Sequence, residues 1–251
     1  MALLEVFAVA MVTALATGLG ALPVGWFGAD RVSRFQPLLL GATAGVMIAA
    51  SVGLLIEPIA SAKYLPVGVG LLIGVIFLIG TQRALIRHET TSERENPLGK
   101  HARRSLLVFA VLFVHSLPEG FAIGSAWASE AANLGLFVFI AISVQNIPEG
   151  TATAIPMVQA GYSRARQFRA AVGTSLPQPI GAVIAFLLVE QVRALLPWSL
   201  GFAAGAMLAL VVVDLLPESF SEPGRRGQAV VGVGGAIALM ALTGLLLAEL
   251  S

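Results

Sequence analysis

Apolar positions run almost unbroken for about twenty residues at a time. Eight such runs follow one another along the chain, at 2–22, 37–59, 64–82, 105–128, 132–158, 168–190, 198–217 and 228–249. A run of this length, coiled at about 1.5 Å per residue, crosses a bilayer core of roughly 30 Å. In hydrocarbon each segment must satisfy its own backbone groups, which a helix does. The pattern predicts an all-α membrane protein, a bundle of eight transmembrane helices forming one domain over 1–251. Only "RHETTSERENPLGKHARR", residues 87–104, reads as an extended polar connector. Its His88 and His101 offer weak metal ligands at most.

Composition agrees with the pattern. Hydrophobic residues make up 57% of the 251 and charged residues 12%, about half the charged share of a soluble domain. The first run is too long for a signal peptide and lacks a basic start, Glu5 being its only charge. There is no cysteine, so disulfides and thiolate metal sites are excluded. The net charge of +1 and the scattered basic residues offer no nucleic-acid patch. Charge placement says more. The loops after segments 1, 3, 5 and 7 hold thirteen Lys and Arg, from Arg31 to Arg226, against Lys63 and Arg193 on the other side. By the positive-inside rule the first set faces the cytoplasm, the 87–104 connector included, and both termini face away from it.

Two internal repeats stand out. "GATAGVMIAASVGLLIEP" from residue 41 resembles "GFAAGAMLALVVVDLLPE" from residue 201, with Gly41, Gly45, Met47 and Ala49 matching Gly201, Gly205, Met207 and Ala209. "HSLPEG" at 115–120 resembles "QNIPEG" at 145–150. Each pair joins segments that cross the membrane in opposite directions, the mark of an inverted repeat. The dense glycines of segments 2, 3, 7 and 8 (Gly41, Gly45, Gly70, Gly74, Gly201, Gly205, Gly232, Gly234 and Gly235) fit close helix packing and need no chemistry.

The second repeat carries the chemistry. Glu119 and Glu149 fall near the middle of segments 4 and 5, where an ionised group costs roughly 2.5–3.5 kcal/mol. His115 and Glu119 are one turn apart on one face, as are Gln145 and Glu149. Ser116 and Asn146 add oxygens on the neighbouring stripe. Pro118 and Pro148 cannot donate to the carbonyls one turn back and are expected to kink both helices. One imidazole, two carboxylates and amide oxygens suit a divalent cation of borderline softness. "SLPQPIGA" at 175–182 predicts a break in segment 6 that turns Gln178 towards the same place. Met47 offers a thioether. Asp214 and Glu218, one turn apart in segment 7, extend a line of acids towards the cytoplasm as an exit path.

These motifs resemble the ZIP (Zrt-/Irt-like) family of divalent-metal transporters, in its bacterial GufA-like branch. The resemblance covers essentially the whole chain. It implies a bundle in which helices 1–3 and 6–8 are inverted relatives flanking helices 4 and 5. It implies His115, Glu119, Gln145 and Glu149 as transport-site ligands, with Met47 as a further one, and places Asp214 on the exit route. Ser116, Asn146 and Gln178 match positions that surround a second metal in many relatives. Here all three are neutral, so one ion is expected. The implied function is movement of Zn²⁺, or of Cd²⁺, Fe²⁺ or Mn²⁺, into the cytoplasm across the cell membrane. The metal is then substrate, and no catalytic cofactor is expected. Expected partners are divalent cations and the lipid bilayer, with a homodimer left open and no nucleic acid. The alternative, a membrane-embedded zinc hydrolase, would want an H-E-x-x-H pair or three protein ligands and an activating water. Only His115 among the three histidines lies in an apolar run.

Overall fold

The computed structural model describes residues 2–92, 100–131 and 133–250. It contains eight helical spans, labelled in chain order: α1 (Ala2–Phe27), α2 (Gln36–Ala60), α3 (Tyr64–Leu85), α4 (Ser105–Ala128), α5 (Leu134–Gln159), α6 (Arg164–Gln191), α7 (Arg193–Ser219) and α8 (Pro223–Glu249). The eight apolar runs thus become eight spans, six of them a few residues longer than the run, α4 coincident with it and α5 one residue shorter. The connector expected at 87–104 is shorter than its polarity suggested. The helix of α3 continues to Ser92 and that of α4 starts at Lys100, while 93–99 lie outside the described residues.

The helices pair in a pattern that explains the repeats. α3 packs along α7 and α2 along α8; α1 packs along α5 and α4 along α6; α2 touches α5 and α4 touches α7. Exchanging α1, α2 and α3 for α6, α7 and α8 in order, and α4 for α5, maps every one of these pairs onto another. The inverted repeat is therefore a property of the packing.

Glycines hold equivalent contacts in the two halves. A Cβ on Gly41 or Gly45 would meet Ala229 O or Val233 O of α8 at 2.6 and 2.4 Å; the matching Gly201 and Gly205 approach Val67 O and Leu71 O of α3 at 2.5 and 2.1 Å. Gly70, Gly74 and Gly232 make similar approaches, whereas Gly234 and Gly235 face open space and pack against nothing. The same symmetry accounts for the glycine that ends each Pro-Glu-Gly motif. A Cβ on Gly120 would lie 2.2 Å from Gln178 O on α6, and one on Gly150 would lie 1.7 Å from Thr17 O on α1. Real Cβ atoms do not come so close, so each glycine sets its helix-to-helix distance.

The break expected in segment 6 is present. The helix runs on through Pro118 in α4 and through Pro148 in α5. The interruption comes in α6, where helix stops at Thr174 and restarts at Pro177. Pro177 suits a first helical position because its missing N–H has no partner to lose there. Gln178 follows it and is buried. In α7 the regular helix gives way to one π-turn over Val211–Leu215, which carries Asp214.

Gly150→Val should force α1 off α5, with a loss of about 1–3 kcal/mol or more from overpacking, whereas Gly234→Ala should leave stability unchanged. Thermal melts of the detergent-solubilised variants check this; equal melting temperatures for the two would show that the α1–α5 contact does not depend on glycine.

Candidate metal site

His115 and Glu119 on α4 and Glu149 on α5 meet where these helices touch. One ligand atom from each lies within 4.8 Å of the others, and all three residues are buried. The i, i+4 spacing brings His115 Nε2 to 3.4 Å from Glu119 Oε1. Two carboxylates and one imidazole, all buried, make a compact donor set for a dication.

The surrounding amides are polarised towards Glu119. Gln145 Nε2 donates to Glu119 Oε1, and Gln178 Nε2 donates to Oε2 at 2.6 Å. Both are uncharged, so they orient the carboxylate and leave its negative charge in place. Among the described residues eight buried side-chain atoms make no hydrogen bond, and four of them belong to this cluster: both ring nitrogens of His115, Gln145 Oε1 and Glu149 Oε1. Buried polar atoms of a folded chain are normally partnered. Gln145 Oε1, Glu149 Oε1 and the unprotonated ring nitrogen of His115 are acceptors on residues that the sequence pattern singles out, and a cation satisfies such a group.

The other expected residues divide. Asn146 and Gln178 join the network, with Asn146 Nδ2 donating to Thr13 O at 2.7 Å and to Gln178 Oε1 at 3.2 Å. Ser116 is buried, but its hydroxyl turns back to Leu112 O at 2.9 Å on its own helix. Met47 is fully buried in the apolar core, together with Leu54, Ile123, Leu200 and Met207. Leu54, Ile123 and Leu200 lie on the side of the Glu119 level away from the basic loops.

On the other side of the site a cavity of about 460 Å³ reaches from Glu149 past Thr43 and Gln82 to Asp214, Gln36 and Glu218. Gln36 begins α2 and Glu218 ends α7, so it opens on the side of the basic loops. Gln82 Nε2 donates to Asp214 Oδ2 at 2.5 Å, and Gln36 Nε2 donates to Glu218 Oε1 at 3.2 Å. The side chains of His88 and His101 lie outside the description.

Sequence reasoning missed Thr13, Thr17, Gln36 and Gln82. Thr13 and Thr17 are i, i+4 on α1; the first faces Gln178, and the second shares a 2.6 Å hydrogen bond with Ser175 at the α6 break. Their signal was available as the same one-turn polar spacing inside an apolar run.

The profile described as "ZIP Zinc transporter" matches residues 81–244. A relative from Arabidopsis thaliana, At3g08650, is 33% identical over 210 residues, covering 83% of this chain and 33% of that protein. Zinc transporter GufA of Myxococcus xanthus is 32% identical over 169 residues, 67% of this chain and 66% of that protein. Zinc transporter ZIPB of Bordetella bronchiseptica is 33% identical over 242 residues, 90% of this chain and 75% of that protein. The chain thus spans a third of the plant relative's length and just under two thirds of that of GufA.

His115 is the one nitrogen donor in the cluster, and imidazole favours Zn²⁺ where carboxylate and carbonyl oxygens favour Mn²⁺. His115→Asn should therefore narrow the preference for Zn²⁺ over Mn²⁺ by about tenfold in competition binding to purified protein. An unchanged ratio would remove His115 from the ligand set.

Proposed function

Because the chain belongs to the ZIP zinc transporter family, we propose that it carries a divalent cation, Zn²⁺ first among them, across the cell membrane into the cytoplasm. The observation that carries this reading is the enclosed meeting of His115, Glu119 and Glu149 near the middle of two apolar spans. A bilayer interior does not keep two carboxylates together without compensation, and a dication supplies it. Gln145 Oε1 adds a neutral oxygen, and Met47 is the proposed thioether ligand from α2. The named relatives are described as transporters, and the hydrolase alternative finds no support.

Direction follows from access and potential. The cavity leads from Glu149 towards the basic loops, which the charge bias assigns to the cytoplasm, with both termini outside. Asp214 and Glu218 line it as successive cation contacts on the way out. The π-turn of α7 carries Asp214 into the cavity lining, and the Gln82 amide that holds it is uncharged. An inside-negative potential favours a dication moving inwards by about 4.6 kcal/mol per 100 mV. The cavity on the side of the basic loops, with apolar core residues such as Leu54, Ile123 and Leu200 on the other side, supports reading this arrangement as a cytoplasm-facing state of the proposed cycle.

Glu119→Ala and Glu149→Ala should each reduce Zn²⁺ uptake into proteoliposomes to a few per cent of the wild-type rate, with melting temperature preserved. Near-normal uptake by either folded variant would overturn the assignment.

A further inference from the structure

The first turns of α6 carry Arg164, Arg166 and Arg169, all exposed, and none of them meets a carboxylate among the described residues. Cations there stand at the positive end of the helix dipole, so the helix itself gives them nothing. Beside them Gln167 is 3% exposed; its Nε2 donates to Tyr162 O at 2.7 Å, but its Oε1 has no partner. Arg164 and that oxygen converge on bare backbone of α1. A Cβ on Gly25 would lie 3.1 Å from Arg164 Cγ and 3.5 Å from Gln167 Oε1. One turn deeper on α6, Phe168 packs on Gly18 of α1 and lines an apolar groove of about 570 Å³. Val12, Leu15 and Leu19 line the same groove along α1, and each is about half exposed.

We propose that this surface binds one anionic phospholipid of the cytoplasmic leaflet, with its phosphate on Arg164 and Arg169, a headgroup hydroxyl on Gln167 Oε1 and an acyl chain in the groove over Leu19 and Leu15. Charge complementarity selects the headgroup. Guanidinium groups without a protein partner match a phosphodiester, and basic pockets between spans on the cytoplasmic side suit anionic headgroups. The charge bias puts the start of α6 on that side. The orphan oxygen selects further: it only accepts, so it takes a hydroxyl hydrogen that a bare phosphodiester lacks. The lipid bridges α1 and α6, whose hydroxyls join at the α6 break through Thr17 and Ser175. A soluble phosphate would satisfy the arginines and leave the groove unused. The surface is separate from the metal cluster and stands whether or not that cluster carries a transported ion.

Native mass spectrometry of the full chain in detergent tests this, with dioleoyl phosphatidylglycerol, dioleoyl phosphatidylcholine and inorganic phosphate as probes. On wild type the first phosphatidylglycerol should bind about tenfold more tightly than phosphatidylcholine, and excess inorganic phosphate should not displace it. Arg164→Gln with Arg169→Gln should bring the two lipids to within about twofold of each other. Arg83→Gln with Arg226→Gln removes the same charge from α3 and α8 and should keep the preference. Leu19→Trp fills the groove and should weaken phosphatidylglycerol about tenfold. Equal affinity for both lipids on wild type, displacement by phosphate, a preference lost as fully in the charge-matched control, or unchanged binding in folded Leu19→Trp would each overturn the proposal. All five substituted side chains are exposed, so the core is left alone; if Leu19→Trp still fails to fold, the arginine pair and its control decide. Failure here is separable from failure of the transport reading: no lipid preference on wild type, with uptake still lost in Glu119→Ala, would remove the lipid site and leave the transport site standing.

Discussion

Two carboxylates buried side by side in an apolar slab are the constraint on which the rest of the structure depends. Glu119 and Glu149 repel each other where no bulk water screens them. The chain answers with donors that carry no charge. Gln145 and Gln178 grip the two oxygens of Glu119, and the same device recurs along the cavity, where Gln82 holds Asp214 and Gln36 holds Glu218. Lysine or arginine in those places would quench the negative field. A carboxamide directs the acid and leaves the field for a mobile cation.

Holding such donors in place needs helices that do not drift, and the glycines supply this. The glycine closing each Pro-Glu-Gly motif brings the backbone of α6 against α4, or of α1 against α5, one residue from the functional glutamate. Packing and chemistry are thus written in one tripeptide. The matching approaches of α2 to α8 and of α7 to α3 repeat the arrangement in the other four helices. The duplicated sequence is read twice, once from each side of the membrane.

Much of this was legible in the chain itself. Eight apolar runs gave eight spans because span length is set by the bilayer, and one-turn spacing placed His115 beside Glu119 because helix geometry is local. Contacts between distant segments were less legible. Thr13 and Gln178 are far apart in sequence, and only folding brings the hydroxyl to the amide. Gln82 went unnoticed for the same reason: its partner Asp214 lies on the π-turn of α7, 132 residues away. The prolines were legible at α6, where two of them bracket a glutamine and the expected break is present, while Pro118 and Pro148 sit within continuous helix. Ser116 was grouped with Asn146 by spacing, yet its short hydroxyl finds its own helix's carbonyl first.

The central claim is that a transported dication sits between α4 and α5 on the side chains of His115, Glu119 and Glu149. Anomalous diffraction at the zinc absorption edge, from crystals grown with Zn²⁺, tests it most directly. The account predicts an anomalous peak within bonding distance of His115 Nε2, Glu119 Oε1 and a Glu149 carboxylate oxygen. Zinc found only elsewhere, with these three side chains bonded to one another in its presence, would contradict it.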